Sequence, residues 1–577
     1  MKKRKTRVIL LLMVLTLGLT SCGRPSETDY QQKFAEFEET FFKEKVSDSF
    51  LDLHYALKDS EKYGIENVPE DFGQYSEEGM KEKIRYLKEK KEELSQFPFE
   101  KLNEEQQVTA HILENMIEVE CNSEGLELYK EPLSEAVGIQ AELPVLLAEY
   151  EFYSREDVEG YLNLLGSIDE YYVQILEFER DKADAGLFMS DMAADSVIQS
   201  CKSYMDENGS SFLLESFKNR LEQVPGLTEE EKQNLVSRNE TIIKEDFLNA
   251  YQTLSDGLEK LKGSGQNVNG VCGWEKGQEY YEYLIESEIA PSYPDIGSLL
   301  EALEKMVTSK MNEMNEMVDE NPKLMDEWDS AEIQYENPVE ILQQLQNEIM
   351  ADFPKLENMD YEIKYVPEEL EDVQPLAFYV SPQIDSYHDN VIYINRKYEG
   401  NGNLYITLAH EGLPGHMYQT TYFLRNNESD LRKILDYTGY TEGWATYVEH
   451  LAYQFDNGLE PAVGKIMADN SIANLGVGAI LDIKVNYYGM DREEAVDYFS
   501  DYLDAGAVNQ MFDYVCKNPA VYLPYVVGYM EIEEMREEAE AKLGENFDAK
   551  KFHKFILDMG PAPFSIIREE FAQWVSD

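Results

Sequence analysis

Cysteine and basic residues are both scarce in this 577-residue chain, and each shortage removes a class of function. Of five cysteines, the four in the body, Cys121, Cys201, Cys272 and Cys516, show no Cys-x-x-Cys spacing, which excludes zinc-ribbon and thioredoxin-like readings. Lysine and arginine together number 51 against 114 aspartates and glutamates, a net charge of −63. Such a body does not attract phosphates or anionic lipid headgroups, so nucleic acid is not an expected partner and no membrane contact is expected through the folded surface. No apolar run after residue 22 is long enough to cross a bilayer. Hydrophobic residues, by contrast, make up 43% of the chain, with 39 tyrosines and 25 phenylalanines, enough to fill a large core and unlike a disordered chain.

The first 22 residues stand apart. Lys2, Lys3, Arg4, Lys5 and Arg7 precede an apolar stretch at 8–19 and then Leu19-Thr20-Ser21-Cys22. This resembles a bacterial lipoprotein signal, with residues 1–21 removed and Cys22 becoming the lipid-modified N-terminus. Residues 22–33 would then be a polar tether, and the body would sit on the extracytoplasmic face of a bacterial membrane, held only by its lipid anchor.

Along the body, helix patterns dominate residues 34–262. Ser154 and Asp157 make a capping start, followed at helical spacing by Tyr161, Leu162, Leu165, Ile168, Tyr172 and Ile175, all expected in the core. Residues 138–147, containing Gly138 and Pro144, read as a loop leading into a buried segment. The Gly/Ser/Asn-rich residues 263–270 lack the Gly-x-Gly-x-x-Gly order of a nucleotide loop; a linker over 263–273 is expected, followed by a second subdomain at 274–577. Leu299, Leu303, Met306, Val307 and Met314 form a core-facing helical stripe. Strands are expected at 378–380 and 391–394, joined by a turn carrying His388. An edge strand at this place is a candidate for holding an extended substrate by backbone pairing.

Directly after it comes His410-Glu411-Gly412-Leu413-Pro414-Gly415-His416. Two imidazoles can hold a zinc ion, and a glutamate between them can act as base toward its water. In the common His-Glu-x-x-His pattern the histidines lie about 40° apart on a helix, whereas six residues on a regular helix put them roughly 120° apart. Pro414 lacks the N–H a helix would use, and Gly415 tolerates a backbone path closed to other residues. A bulged helix with two residues looped out, so that His410 and His416 converge, is therefore expected. A third ligand is expected from residues 440–450, where Glu442 and Glu449 lie seven apart on nearly one helix face and Ala445 leaves room for a neighbouring helix. Glu442 is the first choice, with Glu449 orienting a ligand histidine; the reverse assignment remains open.

These two runs together, the His-Glu-x-x-Pro-Gly-His motif and Glu442-Gly443-Trp444-Ala445, resemble the bacterial family catalogued as domain of unknown function 885, related to gluzincin-type zinc metallopeptidases. Residues 143–150, 280–284, 525–528 and 560–563 also look like blocks of that family. The resemblance implies a mainly α, large helical fold with a small β-sheet beside a deep catalytic cleft. Carried over by position, His410, His416 and Glu442 would bind zinc, Glu411 would be the general base, and Tyr525 would donate its phenol proton to the oxyanion. Arg568 is a weaker candidate, either for a substrate carboxylate or for a surface salt bridge.

The function expected is that of an extracytoplasmic, lipid-anchored zinc metallopeptidase acting on peptides. The rivals are a zinc amidase acting on a cell-wall fragment or small conjugate, and a non-catalytic lipoprotein that binds peptides or scaffolds other proteins.

Overall fold

The computed structural model describes residues 26–576 apart from 136, 206, 266–269, 357–358, 367–370, 372–373, 399–402 and 501–502. The leader, Cys22 and the first part of the expected tether lie outside the described residues. The described residues are mainly α-helical with one three-stranded sheet. No helix among the described residues is long and apolar enough to cross a membrane.

The capping start at Ser154 is present. Ser154 Oγ accepts from the Asp157 N–H, and Asp157 Oδ2 accepts from the Ser154 N–H at 2.7 Å. The apolar stripe that follows belongs to two helices, Arg155–Gly166 and Ile168–Asp184, with the break at Ser167. All six of its members are buried. Residues 139–149 form a helix where a loop was expected. Pro144 inside it leaves the Gln140 carbonyl without its helical donor, and the Tyr251 hydroxyl takes that place at 2.8 Å. A side chain more than a hundred residues away thus makes this proline tolerable.

Two main hydrophobic clusters result. One gathers Leu51, Phe72 and apolar residues between 133 and 258, together with Val366 and Tyr393 from the sheet region. The other joins apolar residues of 34–129 to those of 271–575. Both clusters draw residues from either side of the expected linker at 263–273. The N-terminal helices up to Tyr129 pack with the C-terminal half.

The sheet consists of β1 (Tyr361–Tyr365), β2 (Ala377–Val380) and β3 (Asn390–Ile394), in the order β1-β3-β2. β1 runs parallel and β2 antiparallel to β3, with Tyr379 opposite Ile392. β2 is therefore an edge. Five helices carry or support the motif region: α1 (Leu404–Glu411), α2 (His416–Asn426), α3 (Thr438–Ala452), α4 (Pro461–Asn486) and α5 (Leu523–Leu543). Helix Ile296–Glu320 carries the expected Leu299–Val307 stripe and packs on α4. A Cβ at Gly476 would lie 2.5 Å from the Val307 side chain, so glycine permits that approach.

Candidate functional site

α1 ends at Glu411 and α2 begins at His416, yet hydrogen bonds run across the interruption. The Gly415 N–H donates to the Ala409 carbonyl at 2.9 Å and the Tyr418 N–H to the Gly412 carbonyl at 3.2 Å. Each spans six residues instead of the helical four, which is the signature of two surplus residues. The bulge inferred from the spacing is thus present, as a full break between two helices. Gly415 takes the expected backbone path, with φ −76° and ψ −137° lying outside the helical and extended regions. A Cβ there would also sit 1.6 Å from the His410 carbonyl oxygen, so glycine is required for the close approach of backbone to backbone as well.

The consequence is convergence. The rings of His410 and His416 lie 4.8 Å apart at 85°. Ligand atoms of His410, Glu411 and His416 all fall within 4.8 Å of one another. From α3, Glu442 Oε2 reaches 3.3 Å from His410 Nε2 and 3.4 Å from His416 Nε2. Glu449, two turns further on, places Oε2 3.2 Å from His410 Nδ1, on the other edge of that ring. The Ser471 hydroxyl of α4 in turn donates to Glu449 Oε1 at 3.5 Å. Glu411 accepts from the Tyr379 N–H of edge strand β2 at 3.0 Å, so the sheet edge directly borders the cluster.

Electrostatics follow from this packing. Burial acts to raise the Glu442 pKa, but its contacts with His410 and then His416 outweigh it and hold the carboxyl well below the usual range. Burial acts to lower the His410 pKa, but Glu442 and Glu449 outweigh it and push the imidazole well above its ordinary value. Glu442 Oε2 is nevertheless buried without a partner of hydrogen-bond geometry, an orphaned acceptor between two ring nitrogens. Two imidazole nitrogens and carboxylate oxygens are a donor set that fits zinc. Tyr525, on α5, stacks its ring 6.4 Å from that of His410. Burial, followed by the charges of Glu442 and Glu411, pushes its phenol up, so it stays protonated.

Two supports were missed by sequence reasoning. The indole Nε1–H of Trp444 donates to the Pro414 carbonyl at 2.9 Å, tying α3 to the apex of the break. Small residues do let a helix approach α3, but they are Gly439 and Gly443 rather than Ala445. A Cβ on Gly528 of α5 would lie 1.9 Å from the Gly439 carbonyl oxygen and 2.5 Å from Gly443 Cα. The spacing Gly439-x-x-x-Gly443 was the available signal. It brings α5, and Tyr525 one turn before Gly528, against the cluster.

Other candidates lie elsewhere. His388 is exposed and packs on Tyr387. Arg568 bridges Glu531 and Glu534, both at 2.6 Å, as the salt-bridge alternative held. No disulfide joins the four body cysteines among the described residues.

Comparison with known proteins gives a consistent picture of the fold. A protein described as "the putative lipoprotein from Colwellia psychrerythraea" superposes with a TM-score of 0.82 at 20% identity, covering 95% of this chain and 99% of its own. A "putative lipoprotein of unknown function from Shewanella oneidensis" gives 0.60 at 18% identity, over 95% and 100% of the two chains. No curated protein matches. The family described as "Bacterial protein of unknown function (DUF885)" matches residues 60–571, nearly the whole body that carries both motifs, and the chain belongs to that family.

Proposed function

We propose that this protein is a zinc metallopeptidase of gluzincin type, anchored by lipid at Cys22 outside the bacterial cytoplasm. The observation that carries the reading is the approach of Glu442 Oε2 to the Nε2 atoms of both His410 and His416, with Glu411 beside them. His410, His416 and Glu442 would hold the ion. Glu449 accepts from His410 Nδ1–H and so leaves the Nε2 lone pair for coordination. The description of two relatives as lipoproteins supports the anchor.

A zinc ion held there supplies Lewis acidity, polarising a carbonyl and making a bound water acidic near neutral pH. The protein's own groups do the rest. Glu411 takes a proton from the attacking water and delivers it to the leaving amine nitrogen. Its hydrogen bond from the Tyr379 N–H fixes the carboxylate. Tyr525, neutral by virtue of its burial, donates to the developing oxyanion. The outer edge of β2 aligns an extended peptide by backbone pairing.

The test is metal analysis of the gently purified protein, together with a peptide-library digest read by mass spectrometry. One zinc per chain and cleavage of peptide bonds is the expected result. Absence of stoichiometric metal with no cleavage would favour a binding or scaffolding role instead.

A further inference from the structure

Beside His416 and Tyr379 lies a cavity of about 420 Å³, bordered on its far side by Ile434, Leu435 and Asp436. The same three residues line a second cavity of about 1020 Å³, which lies between them and the N-terminal helices. The segment between Lys433 and Thr438 is therefore a wall common to both. Asp436 is its charged member. It is exposed to the space at that wall. Its hydrogen-bond partners are small neutral groups, the Thr441 hydroxyl at 3.3 Å and the Tyr437 backbone. No lysine or arginine forms an ion pair with it among the described residues. Lys433, which lines the smaller cavity, is engaged by Asp430 at 3.0 Å.

A carboxylate held this way lacks a counter-charge. Partial desolvation by the surrounding protein pushes its pKa up, with the Thr441 hydroxyl opposing this, the Glu442 charge adding to it and His416 opposing it. The surroundings do not supply the missing charge. The larger cavity is lined by eight carboxylates, Asp436 among them, against only Lys45 and Lys83. Burial also raises Asp48, Glu286 and Glu288 within it. Low-dielectric walls of one sign concentrate the field in the space they enclose and favour entry of the opposite charge.

We infer that Asp436 is a specificity-determining residue, receiving a positively charged group of the peptide, a lysine or arginine side chain or a free α-amine, on the His416 side of the scissile bond. This rests on the peptidase reading above. It gives that reading a substrate class, cationic peptides. A group entering past His416 meets Asp436 at the wall, and the acidic space behind the wall holds the rest of a basic segment by field alone. The single carboxylate supplies selectivity at one position, and the chamber supplies a more diffuse attraction.

The experiment uses the zinc-loaded full chain and decapeptides that differ at one scanned position only, carrying lysine, acetyl-lysine or glutamate, with free or acetylated N-termini. The readout is the ratio of kcat/KM between charged and neutralised peptides at each position. The wild type should prefer the cationic form at one position by about 10-fold or more, mostly through KM. Asp436→Asn should bring that ratio close to one, Asp436→Lys should invert it in favour of glutamate, and Asp436→Glu should restore it. Zinc content and thermal unfolding of each variant separate loss of selectivity from loss of fold. Cleavage with an unchanged ratio in Asp436→Asn would overturn the subsite and leave the peptidase reading standing. If the zinc-loaded wild type cleaves no peptide at all, the peptidase reading falls and the subsite with it.

Discussion

Trp444 Nε1–H donates to the carbonyl oxygen of Pro414 at 2.9 Å, joining the His410–His416 and Glu442–Ala445 runs of this chain by one buried hydrogen bond. The indole is fully buried, with Phe353 packed edge-on 6.1 Å away. Pro414 sits at the apex of the break that brings His416 back toward His410. Trp444→Phe keeps most of the ring and removes the donor. It should weaken zinc binding by about 10-fold or more, the scale seen when groups supporting metal ligands are removed. Competition with a chelator checks this, and an unchanged affinity in a folded variant would show the bond to be incidental.

Gly415→Ala tests the break itself. The added methyl would meet the His410 carbonyl at 1.6 Å, so the two helices must part or the chain must rearrange. Loss of stability of about 1–3 kcal/mol, the usual range for overpacking, should accompany loss of metal binding. Thermal unfolding and zinc titration measure the two effects separately.

Glu449→Gln should leave the fold intact, because Glu449 is partly exposed, and lower zinc affinity by about 10- to 100-fold through disordering of His410. Glu442→Gln should cost more, since its oxygen faces both imidazoles. Equal effects of the two substitutions would reopen the choice between them as the third ligand.

Asp482, on α4, gives a pH signature of its own. Burial pushes its carboxyl up to about 7, although the Tyr281 hydroxyl, the Ala520 N–H and Asn486 all stabilise the charge. Its pKa in the unfolded chain is about 4. Between these values the folded state keeps a proton that the unfolded state has lost, so this contribution is complete below pH 4 and disappears as pH rises through 7. The wild type should therefore lose more stability than Asp482→Asn between pH 5 and pH 8. Unfolding temperatures of the two proteins across that range give the comparison, and parallel curves would contradict the shift.

The surplus of two residues between His410 and His416 is legible in the sequence because helical geometry leaves no other way for the rings to meet. Glu442 and Glu449 are legible for the same reason, since seven residues return to one face. What holds these pieces together is less so. Trp444 to Pro414 and Gly528 to Gly443 are contacts between segments far apart in the chain, and no local pattern announces them. The helix through Pro144 defeats a local reading because the compensation comes from Tyr251. β1 was missed outright, its Tyr361–Tyr365 run alternating weakly and packing beside β3 only as an edge.

The most direct test of the central claim is Glu411→Gln in the zinc-loaded protein. Glu411 is the one residue of the cluster assigned to proton transfer rather than to holding the ion. The substitution should preserve one zinc per chain and reduce peptide turnover by at least about 100-fold, the contribution typical of a positioned general base. Retained zinc with undiminished peptide hydrolysis would contradict the assignment.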